Sequence, residues 1–232
     1  MRTAIAPDAV IFDMDGVLID SNPFHLRIWG EFLTLHGVRF DPDKLGAQIF
    51  GQRDDHALRM FFGADLSDEV SLRWSEELEH NFREAFRAHA RPLPGAAELI
   101  WECQSQGIPM AVASSAMRKN VDFVVATLKL GACFRTIVSG DEVSHAKPDP
   151  EIYLTAAGHL GVEPSRCVAF EDSPIGIEAV VHAGMRCVAI ASTFAIEDLR
   201  TETRAHLVVP SFEELNLERL RGLFAVPCSP SR

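Results

Sequence analysis

Val10–Ser21 reads VIFDMDGVLIDS, and this stretch decides the fold. The apolar run Ala9–Phe12 delivers two carboxylates, Asp13 and Asp15, to the end of what reads as a buried strand. Desolvating a carboxylate costs several kcal/mol unless it is paired or metal-bound. Two carboxylates one residue apart at that place therefore point to a cation or a substrate that uses their charge, and a magnesium-dependent phosphoryl site fits. A second reading stands beside it, in which Asp13 caps the next helix and Asp15-Gly16 forms a bend.

Working outward, similar short runs recur at Met110–Ala113, Thr136–Val138, Val168–Phe170 and Cys187–Ile190, each ending in small or polar residues and followed by helical spacing. Runs of this kind suit strands buried on both faces, so the chain is expected to be α/β, with a doubly wound parallel sheet under covering helices. Between Asn22 and Arg91 the strand-like runs stop, and Leu72, Leu78, Phe82 and Phe86 keep helical spacing in a charged background. The expected organisation is a core of residues 1–21 and 92–232 interrupted by an α-helical insert of residues 22–91. Asn22-Pro23 marks its near edge, and the linker-like RPLPG, Arg91–Gly95, its far edge. The apolar positions of the insert read as its own core. Residues 225–232 read as a frayed tail.

At 232 residues the chain can bury a full core, and its net charge of -11 argues against a general binder of nucleic acid or anionic membrane. The five cysteines, Cys103, Cys133, Cys167, Cys187 and Cys228, form no Cys-x-x-Cys pair and read as free thiols of a reducing compartment. The N-terminus breaks at Pro7-Asp8 before any long apolar stretch, so neither signal peptide nor membrane anchor is expected and the cytoplasm is the default.

Ligands of an open parallel sheet gather outside the carboxyl ends of the strands. Asp13 and Asp15 follow the first run, Ser114 and Ser115 follow MAVA, and Glu171 and Asp172 follow VAF. Asp13, Asp15 and Asp172, with Glu171 close by, offer the hard oxygen donors that Mg2+ takes. Glu171-Asp172 also reads as the cap of the helical SPIGIEAVVHAG. Lys147, held between residues of HAKPDP, can neutralise a nucleophile and a phosphate, or it is a solvated surface lysine. Ser114 suits a phosphate-oxygen donor at a helix start, and equally a simple N-cap.

Together these segments, DxDGVxxDS, the serine after the second run, Lys147-Pro148 and Glu171-Asp172-Ser173-x-x-Gly176, resemble in order the haloacid dehalogenase superfamily of phosphohydrolases. The helical insert resembles the small cap of the subgroup that holds β-phosphoglucomutase, phosphoglycolate phosphatase and sugar-phosphate phosphatases. The resemblance implies a Rossmann-like core, Asp13 as nucleophile, Asp15 as acid and base, and a metal held by Asp13, Asp172 and the Asp15 carbonyl. It implies that Ser114 and Lys147 hold the phosphoryl oxygens. The second aspartate speaks against dehalogenation, whose branch lacks it.

Substrate choice is then expected from the cap. His25 is a substrate contact or packs beside Phe24 and Trp29; Gly51 and Arg53 lie in FGQRDD, where Arg53 can grip an anionic group or a hydroxyl. The mutases show Lys-Gly-x-x-x-Arg in this loop and a further lysine on a later cap helix. This loop is one residue tighter, and SEELEHNFREAF has no lysine. The expectation is hydrolysis of a small phosphorylated metabolite, such as a sugar phosphate or a phosphoglycolate-like monoester. β-Phosphoglucomutase activity and a non-catalytic binding role are the alternatives. Oligomeric state is not legible.

Overall fold

In the computed structural model, which describes residues 7–225, the apolar runs form one parallel sheet. Cys228 and the tail from Val226 lie outside the described residues. Among the described residues the sheet has six strands: β1 (Ala9–Phe12), β2 (Met110–Ser114), β3 (Thr136–Ser139), β4 (Cys167–Glu171), β5 (Arg186–Ile190) and β6 (Leu207–Val209). Their order is β3-β2-β1-β4-β5-β6, and every neighbouring pair runs parallel. The winding direction reverses between β1 and β4, and such a switch point opens a crevice at the carboxyl ends of the two strands.

The strands alternate bulky and small side chains between the two faces. Val10, Phe12, Val112, Phe170, Val188 and Ile190 fill one face, where Phe12 stacks on Phe170 at 4.9 Å between ring centroids. The opposite face carries Ala9, Ala111, Ala113, Ala169, Cys187 and Ala189. Those small side chains let α7 (Glu151–Leu160) and α8 (Pro174–His182) lie close against the sheet. Cys103, Cys167 and Cys187 are buried free thiols, and Cys133 is partly buried.

Between β1 and α5 (Ala96–Ser105) the chain forms α1 (Asn22–Leu35), α2 (Pro42–Ile49), α3 (Asp54–Phe62) and α4 (Asp68–Phe86). Asp41 caps α2 by accepting from the Asp43 N–H, and Ser67 caps α4 by accepting from the Val70 N–H. Trp29, Phe32, Leu58, Leu78, Phe82 and Phe86 are buried among these helices, so the helical spacing serves burial there, whereas Leu72, expected in the same core, is 57 % exposed and borders the cavity. The Pro-rich return is not loose: the Leu93 N–H donates to the Leu18 carbonyl at 2.9 Å and Pro92 bridges Ile19, which sets the two crossings side by side. The chain continues through α6 (Arg118–Thr127), and the described residues close with α9 (Ile196–Glu202) and α10 (Leu217–Ala225). Among the described residues no helix is long and apolar enough to cross a membrane.

Candidate active site

The crevice at the ends of β1, β2 and β4 continues under the four helices as a cavity of about 280 Å3. Asp13, Asp15, Ser114 and Asp172 line its sheet side, and His25, Gly51, Asp54 and Glu79 line its helical side. The carboxylates are not helix caps: α1 starts at Asn22, and α8 is capped by Ser173, whose Oγ accepts from the Gly176 N–H. Lys147 is not a surface residue either, with only 3 % of its area exposed.

Lys147 Nζ donates to Asp13 Oδ1 and to Glu171 Oε1, both at 2.6 Å. Glu171 is fully engaged by the protein. Its Oε1 also accepts from Tyr153 OH at 2.7 Å, and its Oε2 accepts from the backbone N–H groups of Asp172 and Ser173 and from Ser173 Oγ. Gly176 permits this close seat, since a Cβ there would lie 1.9 Å from Glu171 Oε1. Asp172 turns the other way: its Oδ2 accepts from Asn22 Nδ2 at 3.2 Å and from Thr193 Oγ1. A Cβ on Gly16 would stand 2.0 Å from that oxygen, and the φ of +74° already favours glycine there. Among the described residues, the protein's hydrogen bonds thus fall on Asp13 Oδ1 and Asp172 Oδ2, and leave Asp13 Oδ2 and Asp172 Oδ1 for another partner.

Charge in this cluster does not balance. Asp13, Glu171 and Asp172 are buried carboxylates facing one ammonium. Burial pushes the Asp13 carboxyl up to about 8, against the pull of Lys147 and with Glu171 adding to the push. Burial, then the charges of Glu171 and Asp13, also hold Asp172 well above the carboxylate range. Glu171 is displaced downward, because Lys147, Tyr153 and the Ser173 N–H outweigh its burial. For Lys147 burial works against the ammonium, yet the two carboxylates prevail and hold it protonated. With all three carboxyls ionised, two negative charges would be uncompensated, which is the charge of a divalent cation; without one, the raised Asp13 and Asp172 carboxyls keep protons instead. Ligand oxygens of Asp13, Glu171 and Asp172 lie within 4.8 Å of one another, the donor type such a cation takes.

A pH-dependent stability follows. Between the ordinary aspartate value of 3.8 and about 8, the unfolded chain gives up the Asp13 proton before the folded chain does. Metal-free stability should therefore fall as pH rises through that window. A bound cation replaces those protons, so Mg2+ should raise the melting temperature more near pH 8 than near pH 5 in calorimetry against EDTA. An equal shift at both pH values would count against the charge deficit.

Asp15 Oδ1 accepts from Ser21 Oγ at 2.6 Å and meets His25 Nε2 at 3.3 Å. His25 in turn stacks on Phe82 at 4.2 Å, so it steadies Asp15 rather than packing on Trp29. Ser114 Oγ accepts from the Ala116 N–H at 3.2 Å, which leaves its own proton to donate. Ser115 lines the cavity, and its hydroxyl donates to the Gly51 carbonyl at 2.8 Å, which ties the helices to the sheet. Arg53 lines the cavity but is not the free cation expected from FGQRDD. It pairs with both oxygens of Asp55 at 3.0 and 3.1 Å and donates to the Val143 carbonyl at 3.1 Å. Sequence reasoning missed Tyr153, Asn22 and Thr193. Tyr153 carried a faint signal as the sole tyrosine of the chain, in the apolar EIYLTAAG that follows Lys147.

Residues 7–184 match the family model described as haloacid dehalogenase-like hydrolase. The chain belongs to that family, and within it to the phosphohydrolases. It is 32 % identical over 200 residues to the validoxylamine A 7'-phosphate phosphatase of Streptomyces hygroscopicus subsp. limoneus, covering 82 % of this chain and 88 % of that one. Hexitol phosphatase B of Escherichia coli (strain K12) is 32 % identical over 220 residues, covering 92 % of this chain and 96 % of the relative. The crystal structure of β-phosphoglucomutase from Clostridium difficile superposes with a TM-score of 0.83 at 26 % identity, over 94 % of this chain and 97 % of that one.

Proposed function

We propose that this phosphohydrolase removes the phosphoryl group from a small phosphorylated metabolite through an aspartyl-phosphate on Asp13, with Mg2+ as cofactor. The observation that carries the reading is the buried, charge-deficient cluster of Asp13, Asp172, Glu171 and Lys147 beside the anchored Asp15. Asp13 and Asp172 would hold the ion through the oxygens that the protein leaves unbonded, together with the Asp15 backbone carbonyl. When bound, the ion lowers the repulsion between the anionic nucleophile and the phosphate. Glu171 would act behind them as the anchor that fixes Lys147.

Asp13 would attack phosphorus in line, splitting one displacement into two easier ones. Asp15, held through Oδ1, would give a proton from Oδ2 to the leaving oxygen, then take one from the attacking water. Ser114 Oγ–H and Lys147 Nζ would hold the phosphoryl oxygens as charge redistributes over them. Helices α1–α4, the proposed cap of residues 22–91, would keep bulk water from the site. The names of the phosphatase relatives favour hydrolysis of sugar-like phosphates.

Hydrolysis is favoured over the mutase reading by the cap's cations. A mutase must hold a bisphosphate by its second phosphate while it turns. Here Arg53 is paired with Asp55, Arg59 with Asp55 and Asp68, and Lys44 with Asp41. The test is a panel of phosphomonoesters with Mg2+, including β-glucose 1-phosphate with a trace of the 1,6-bisphosphate. Stoichiometric phosphate release is expected. Glucose 6-phosphate formed without free phosphate would overturn the reading.

A further inference from the structure

The far end of the cavity holds three side chains that the proposed chemistry does not use: Asp54 at the start of α3, and Ser75 and Glu79 one turn apart on α4. Ser75 and Glu79 are each only 4 % exposed. Ser75 Oγ is a buried atom with no hydrogen-bond partner among the described residues, and Asp54 Oδ2 and Glu79 Oε2 meet no donor except, when one of the two carboxyls is protonated, each other. Buried polar groups are nearly always paired in a native protein, and an unpaired one weakens it. Ser75 Oγ, lining the cavity beside a carboxyl pair that has no other donor, is an unmet partner for something that enters it.

The chemistry of that partner is narrow. The nearest arginines are occupied: Arg53 by Asp55 and Val143, Arg59 by Asp55 and Asp68, and Arg83 by Asn120. A second phosphate or a carboxylate tail would meet two carboxyls there, with Arg53 and Arg59 already paired with carboxylates and Arg83 engaged by the Asn120 amide. Hydroxyl groups both donate and accept, and so match two carboxyls and a serine. We infer that Asp54, Ser75 and Glu79 form a hydroxyl-reading subsite that selects phosphomonoesters with an uncharged, polyhydroxylated leaving group. This rests on the phosphohydrolase reading and narrows it, because it rejects a phosphoglycolate-like substrate and a bisphosphate.

The protonation of the pair agrees. Burial pushes Asp54 up to about 6 against His25, and pushes Glu79 well above its ordinary value, with Asp54 and Asp15 adding to it and Arg83 opposing. The pair is held back from ionising twice, and a proton kept between the two carboxyls leaves their remaining oxygens as acceptors, with the Ser75 hydroxyl as the donor beside them. Glu79 lies within SEELEHNFREAF, the stretch without a lysine, and supplies an acceptor there instead.

The test compares kcat/KM for a hexitol phosphate, its analogue lacking the distal hydroxyls, phosphoglycolate and an aryl phosphate. Wild-type protein should prefer the hexitol phosphate to its deoxy analogue by about 10- to 100-fold, and to phosphoglycolate by at least as much. That ratio should fall about ten-fold in Glu79→Met and several-fold in Ser75→Ala, a one-atom deletion that spares the fold. A variant that is merely damaged lowers both rates together and leaves the ratio in place. An unmoved ratio in both variants, or a preference for phosphoglycolate, overturns the subsite while hydrolysis stands. Failure of the wild-type protein to hydrolyse any of the four overturns the phosphohydrolase reading and the subsite with it.

Discussion

Asp13→Asn should lower phosphate release by at least about ten-thousand-fold while leaving the protein folded, in line with the loss on removing the nucleophile of a covalent mechanism. The amide cannot form an acyl phosphate, and every later step depends on that species. The fold should survive because the side chain keeps its shape and a buried charge disappears. Asp13 is 6 % exposed, and its burial is what drives its carboxyl up to about 8. Asparagine removes that penalty, so metal-free Asp13→Asn should melt no lower than wild type near neutral pH. Phosphate-release kinetics alongside calorimetry check both halves. A folded variant that retains more than a few per cent of wild-type turnover removes Asp13 as nucleophile.

Lys147→Met should show the reverse combination, with activity and stability lost together. Methionine matches the side chain as far as Cε but strands Asp13 and Glu171, each 2.6 Å from the ammonium it removes. Breaking one side of a buried ion pair costs about 3–5 kcal/mol, because the remaining charge is left without compensation. Loss of the cation that pairs with Asp13, the proposed nucleophile, and that is proposed to hold the phosphoryl oxygens should reduce kcat by about a thousand-fold. Saturating Mg2+ should restore part of the melting temperature but little of the rate, since it offsets the carboxylates without replacing the donor. Denaturant titration with and without the metal measures the first, and steady-state kinetics the second. A variant as stable as wild type in EDTA would show that Lys147 is not the counter-charge of this cluster.

The sheet was legible because its strands are buried on both faces and so read as unbroken apolar runs. β6 was not, because Leu207–Val209 is three residues long and lies at the sheet edge, half-buried. The carboxylates after β1 and β4 could be grouped, since a parallel sheet brings the ends of its strands together. Their division of labour could not. Glu171 and Asp172 are neighbours at a strand end, where successive side chains point to opposite sides. Glu171 therefore turns toward Tyr153 and Lys147, and Asp172 toward Asn22 and Thr193. The Asn22–Asp172 contact joins residues 150 positions apart, which no local pattern encodes. Arg53 was misjudged for a nearer reason: Asp55 stands two residues on and takes both ends of its guanidinium fork.

The central claim, a phosphoryl group carried on Asp13, is tested most directly by acid-quenching Asp15→Asn during turnover of an aryl phosphate with Mg2+. This variant lacks the base that activates water and should accumulate the intermediate. Peptide mass spectrometry should then find one phosphoryl group on the peptide containing Asp13, and hydroxylamine should remove it. Release of the aryl alcohol with no phosphoryl group on Asp13, or with that group on another residue, would contradict the account.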